Sequence, residues 1–113
     1  MERLANFDLL KHNNEFQFIY KRGRSEHSRS CVLFYFKKSG DRRIGFTAGK
    51  KVGNAVRRNR SKRRLRALFA EFASQLEDGH YVLVAKASMH SLSYKHLKSD
   101  LQALFRRSGG LCQ

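Results

Sequence analysis

The sequence predicts an α+β fold, an α/β sandwich in which a mixed sheet carries helices, and three observations predict it. Two short apolar runs, Cys31 to Phe36 and Tyr81 to Ala85, have the β-branched and aromatic content of strands. Between them, Asn54 to Leu76 repeats apolar residues at three and four spacing, the period of a helix with one buried stripe. Just before that helix, Ile44, Phe46 and Ala48 alternate within Arg42 to Gly49 as in a further strand. A strand, a long helix and a strand in this order predict a crossover that lays the two strands parallel. With 113 residues, 41% hydrophobic content and no low-complexity block, the chain suits one domain over residues 1–113, built on one core.

In chain order, Phe7, Leu10, Phe16, Ile19 and Tyr20 are spaced for one or two short helices. The clearer one covers Asn13 to Lys21, with Asn13 or Asn14 able to cap it and Gly23 as its stop. Phe16 and Tyr20, four apart, share a face. Within the strand Ser28 to Lys38, Val32, Phe34 and Phe36 face one way and Cys31, Leu33 and Tyr35 the other. Both faces are apolar, so the strand is either covered on each side or lends an aromatic face to a ligand.

Ser39-Gly40-Asp41 has turn chemistry and predicts a hairpin into Arg42 to Gly49. Asn54 is placed to cap the long helix, whose stripe is Leu65, Leu68, Phe69, Phe72 and Leu76. Asn59, Arg60, Arg63 and Arg66 project on a different sector. Glu77-Asp78-Gly79 ends the helix and His80 to Ala87 follows as a strand. Ser93 then opens a last helix, striped by Leu97, Leu101, Leu104 and Phe105 and stopped by Gly109-Gly110.

Charge narrows the function. The formal net charge is +15 with a pI near 10.7, a balance that attracts polyanions, nucleic acid ahead of an acidic membrane surface. Gly49 to Arg66 holds nine of the 24 Lys and Arg residues, and no acidic residue lies between Asp41 and Glu71 to neutralise them. Arginine outnumbers lysine there, which suits phosphate, because guanidinium is a rigid bidentate fork. Gly49 and Gly53 bracket Lys50-Lys51-Val52 ahead of the helix. They are either turn glycines or a loop whose amides cradle a phosphate, and the spacing is not that of a nucleotide-binding P-loop. Phe16, Tyr20, Phe34 and Phe36 are either ordinary core or the lining of a groove on which unpaired bases stack.

Catalytic and metal signals are weak. His12, His27, His80, His90 and His96 are scattered, as are the nine carboxylates, so no catalytic residue is nominated. Cys31 and Cys112 have no zinc-ligand spacing; Cys31 reads as a small buried residue, and a reducing compartment argues against a disulfide. No run of 18 apolar residues exists and the first residues do not resemble a signal peptide, so no membrane association is expected and a cytoplasmic location is the default.

The run from Lys50 to Arg66, Lys-Lys-Val-Gly-Asn-Ala-Val-Arg-Arg-Asn-Arg-Ser-Lys-Arg-Arg-Leu-Arg, closely resembles the Arg-Asn-Arg motif of the bacterial ribonuclease P protein subunit family. The likeness extends upstream to Glu15-Phe16-Gln17, Tyr20-Lys21 and Gly23, and downstream to Tyr81 through Lys86 and the last helix. It implies a ribonucleoprotein whose RNA subunit removes the 5′ leader of precursor tRNA by magnesium-dependent hydrolysis, the magnesium being held mainly by the RNA. The protein, one per RNA, would bind that catalytic RNA and the single-stranded leader.

By the resemblance, Arg58, Asn59, Arg60, Lys62, Arg63 and Arg66 meet the catalytic RNA, and Lys50, Lys51, Asn54 and Arg57 adjoin them. Family aromatics matching Phe16, Tyr20 and Phe34 line the leader groove, to which Phe36 is added from the same strand face. Many relatives have Tyr where this chain has Phe34. The implied fold is a four-stranded sheet with about three helices and a left-handed crossover, similar to the second domain of a small-subunit ribosomal protein. Two other classes stay open on the residues alone: a ribosomal or RNA-chaperone protein, and a nuclease carrying its own catalytic groups.

Overall fold

Tyr81 to Ala85, an unbroken apolar run, lies inside a six-stranded sheet in the computed structural model, which describes residues 3–112. The strands are β1 (Arg3–Leu4), β2 (Phe7–Leu9), β3 (Arg24–His27), β4 (Cys31–Lys37), β5 (Arg42–Ala48) and β6 (Gly79–Ala85). The helices are α1 (Asn13–Arg22), α2 (Ala55–Phe72) and α3 (Tyr94–Ser108). The sheet order is β1-β2-β5-β6-β4-β3. As expected for the crossover, β5 and β6 are parallel, in register from Arg42 opposite Gly79 to Ala48 opposite Ala85.

The expected hairpin does not form. β6 lies between β4 and β5, pairing antiparallel with β4 from Cys31 opposite Ala85 to Lys37 opposite Gly79. β4 and β5 both carry apolar side chains, and inserting β6, the most fully buried of the strands described, gives each a full seven-residue ladder. The Ser39–Asp41 turn instead receives the start of β6: the Gly79 amide donates to the Asp41 carbonyl at 2.8 Å. Gly79 has φ 148°, and a Cβ there would stand 2.7 Å from the Phe36 carbonyl oxygen.

The sheet also has six strands where four were expected. β1 and β2 are two and three residues long; β2 opens the stretch from Phe7 whose apolar spacing reads as helical, and β1 lies just before it. β3, Arg-Ser-Glu-His, has no apolar alternation and exists by pairing with β4.

Local signals place the helix starts well. Asn54 Oδ1 accepts from the Arg57 amide at 3.0 Å, and Ser93 Oγ from the His96 amide at 3.3 Å. α1 differs: His12 is its cap, and the His12 amide donates to Glu15 Oε1 at 3.1 Å, so Asn13 and Asn14 are already helical. α2 stops at Phe72 and continues as one 3₁₀ turn, Ala73–Gln75, shorter than a helix running to Leu76.

α2 and α3 cover one face of the sheet. Their stripes meet Cys31, Leu33, Tyr35, Ile44, Tyr81 and Leu83 in the main core. Phe69 is its centre, edge-on to Phe7 at 5.0 Å and near Phe105 at 6.1 Å between ring centroids. α1 alone sits on the other face, where Leu10, Ile19 and Val82 form a small second cluster. Cys31 is buried and Cys112 exposed, both as free thiols. Among the described residues no helix is long and apolar enough to cross a membrane.

Candidate nucleic-acid interface

The basic stretch begins with a 3₁₀ turn, Lys50–Val52, in which Val52 is buried while Lys50 and Lys51 are exposed. Gly53, at φ 133°, reverses the chain into the Asn54 cap; a Cβ there would lie 2.8 Å from Arg57 Cδ. α2 then has three sectors. Ser61, Leu65, Leu68, Phe69 and Phe72 are buried, and half-buried Arg58 borders them.

A second sector, Val56, Asn59, Lys62, Arg63 and Arg66, walls a groove of about 720 Å³. Leu9 of β2, Leu10 just after it, and Ile44 and Phe46 of β5 line it, and Phe16 closes it from α1. Lys11, Lys62, Arg63 and Arg66 ring it with positive charge, and among the described residues no acidic one lines it. Arg57, Arg60 and Arg64 occupy the opposite flank, by 100° projection. Arg64 there is tied down, donating to the carbonyls of Met89 at 3.1 Å and Leu92 at 3.0 Å. Among the described residues it is the only cationic side chain from Lys50 to Arg66 with a bond inside the chain; the others are available to a ligand.

The aromatic residues divide. Phe16 lies on Gly45, where a Cβ would be 2.5 Å from its ring; only glycine lets the ring sit on the strand. Phe16 neighbours Tyr20 at 6.4 Å, and Tyr20 meets Phe34 edge-on at 4.9 Å. All three are half-buried, and burial pushes the Tyr20 phenol up, so it stays neutral. Phe36 is not part of this set. It pairs with Phe18 at 5.1 Å and neighbours His80 at 6.3 Å, away from Phe16 and Tyr20. Phe16 alone joins the aromatic set to the basic groove.

A polar cluster fastens the start of α1. Arg43 donates to Glu15 Oε2 at 2.9 Å and to the Asp41 carboxylate at 3.3 Å, and His80 Nε2 lies 2.9 Å from Asp41 Oδ2. Burial works against both carboxylates, but hydrogen bonds outweigh it: those to Glu15 from backbone amides and Arg43, and those to Asp41 from His80 and Arg43. Both acids are held below the usual carboxylate range.

The family model for ribonuclease P matches residues 4–109. The chain belongs to the ribonuclease P protein family. It is 46% identical over 98 residues to the ribonuclease P protein component of Nitratiruptor sp., covering 87% of this chain and 89% of that one. The same component of Shouchella clausii is 41% identical over 102 residues, with 88% and 84% covered. Among solved structures, the RNase P protein of Staphylococcus aureus superposes with a TM-score of 0.81 at 27% identity, covering 91% of this chain and 96% of that one. An α+β fold of mixed sheet and three helices is thus the fold of ribonuclease P proteins.

Within this family member, sequence reasoning passed over Lys11, Leu10, Gly45 and Val56, all of which line the groove. Two had a readable signal: Gly45 is a glycine inside a strand pattern, and Val56 is an apolar residue three before Asn59, 72% exposed in the structure. Lys11 and Leu10 had none. Among the described residues no group of three or more His, Cys, Asp or Glu is placed to hold a metal ion.

Proposed function

We propose that the chain serves as the protein subunit of ribonuclease P, binding the catalytic RNA and the single-stranded 5′ leader of precursor tRNA while the RNA, with its magnesium, performs the cleavage. One observation carries this reading: Phe16 closes a groove whose other wall is the cationic flank of α2. Stacking surface and phosphate-binding side chains therefore face a common space, the combination that holds an unpaired strand. Phe16, Tyr20 and Phe34 take the leader bases. Lys62, Arg63 and Arg66, with Asn59, face the same groove, and Arg57, Arg58 and Arg60, with Lys50, Lys51 and Asn54, extend the cationic surface toward the catalytic RNA. Neutralising phosphates lowers the repulsion between two polyanions, which is also the work magnesium does, so protein and magnesium substitute for each other in part. The protein acts as a monomer, one per RNA, in the cytoplasm.

The test is reconstitution with the cognate RNA at low magnesium, comparing precursor with and without a leader. Protein alone is expected to cleave nothing, and its addition to the RNA is expected to raise cleavage. Cleavage by protein alone, lost on His→Ala substitution, would replace this reading with a nuclease. Binding without stimulation would leave an RNA chaperone.

A further inference from the structure

Arg43 sits two residues before Gly45 on β5, so both point to the face that α1 covers. They meet consecutive residues of its first turn: Gly45 lies under the Phe16 ring, and Arg43 Nη1 bonds Glu15. Glu15 is engaged twice, since its other oxygen accepts the His12 amide that opens the helix. Arg43 is engaged twice as well, its Nε donating to Asp41, which in turn meets His80 on β6. A row of charge-assisted bonds thus runs from β6 through Arg43 to the residue preceding Phe16. Two carboxylates on two edges of one guanidinium is a geometry that lysine cannot reproduce.

We propose that Arg43 is a positioning residue for the leader site, acting through Glu15 to hold the first turn of α1 so that Phe16 rests on Gly45, and is not itself a phosphate ligand. This rests on the reading of the Phe16 groove as the leader site. In a chain with 24 cationic Lys and Arg side chains it separates a fastener from a contact. Among the described residues Arg63 and Arg66 have no partner, whereas the Arg43 guanidinium is already committed to two carboxylates.

The test uses two substitutions of opposite charge in the reconstituted holoenzyme. Glu15→Ala removes an anion, which by Coulomb attraction alone tightens RNA binding; Arg43→Ala removes a cation, which loosens it. If Arg43 positions α1, both lower the preference for leader-bearing precursor over mature tRNA by about two- to tenfold, the scale of coupling between touching side chains. Mature tRNA affinity and the salt dependence of binding stay unchanged, and neither variant adds to the loss in a Phe16→Ala background. Arg43→Lys keeps the charge and is expected to share the leader defect. A weaker grip on both RNAs with a flatter salt dependence for Arg43→Ala, alongside tighter binding for Glu15→Ala, would make Arg43 a phosphate ligand and overturn the proposal. If the unsubstituted holoenzyme shows no leader preference, the leader reading fails, and amide hydrogen exchange over residues 13–22 decides the clamp. Faster exchange in both variants sustains it; unchanged exchange refutes it.

Discussion

On one face of the sheet Phe7, Phe69, Tyr81 and Phe105 close into an aromatic cluster under α2 and α3, whereas on the other Phe16, Tyr20 and Phe34 stay half-buried beside α1 alone. Composition does not separate the two faces, for β4 alone sends Tyr35 to the first and Phe34 to the second. Coverage does. Six strands span roughly 24 Å at about 4.8 Å per spacing, and one helix is about 10 Å across. Two helices cover the first face; a ten-residue helix on the second leaves its aromatic neighbours partly open. The same side chains therefore serve as core on one side and as a candidate stacking surface on the other.

The largest expected effect tests the closed face. Phe69→Ala empties the centre of the cluster and is expected to cost about 3–5 kcal/mol in urea unfolding, with RNA preference unchanged in whatever fraction folds. Phe16→Ala, on the open face, is expected to destabilise far less. It should instead cost about 1–3 kcal/mol in binding leader-bearing precursor while sparing mature tRNA. Equal losses for both RNAs would show that Phe16 is core after all, and the contrast between faces would collapse.

The groove at the edge of the open face supplies a finer comparison. Arg63→Ala is expected to reduce the slope of log affinity against log salt by about 0.7–0.9, the effect of one phosphate contact. Arg64→Ala, one residue on, is expected to leave the slope alone and to lower stability by about 1 kcal/mol, because its donors go to the Met89 and Leu92 carbonyls. A slope change in Arg64→Ala would mean that this anchor also meets RNA.

The smallest effect is in the clamp that fastens α1. Glu15 and Asp41 have folded-state pKa values below their ordinary 4.5 and 3.8, so the unfolded chain takes up protons first as pH falls. Their contribution is complete above the ordinary values and is lost below them, as pH falls through the depressed ones. The thermal midpoint is expected to drop between about pH 5 and about pH 3, and to drop less in Arg43→Ala. An identical acid profile in the variant would mean that Arg43 does not hold these carboxylates down.

What was legible in the sequence was what local physics decides. The stripe Leu65, Leu68, Phe69 and Phe72, the caps Asn54 and Ser93, and the stop at Gly109 are all matters of a few neighbouring residues, and each stands where the spacing placed it. The short strands escaped notice for the opposite reason: Arg24 to His27 has no pattern of its own and becomes a strand because β4 offers an edge. The hairpin was misplaced because turn chemistry at Ser39-Gly40-Asp41 says that the chain reverses, not which strand will lie alongside.

By itself the sequence determined the charge, the helix faces and the family motif, since these depend on residue type and spacing along one element. Only the tertiary structure decided that Phe16 faces the α2 groove while Phe36 turns to Phe18 and His80, and that Arg43 and Arg64 fasten the fold while Arg63 faces open space. The reason is physical: a guanidinium or a ring has the same chemistry wherever it stands. Its role follows from the partner that packing brings within a few ångströms: Arg43 reaches Glu15, 28 residues away, and Arg64 reaches Met89 and Leu92, 25 and 28 residues away.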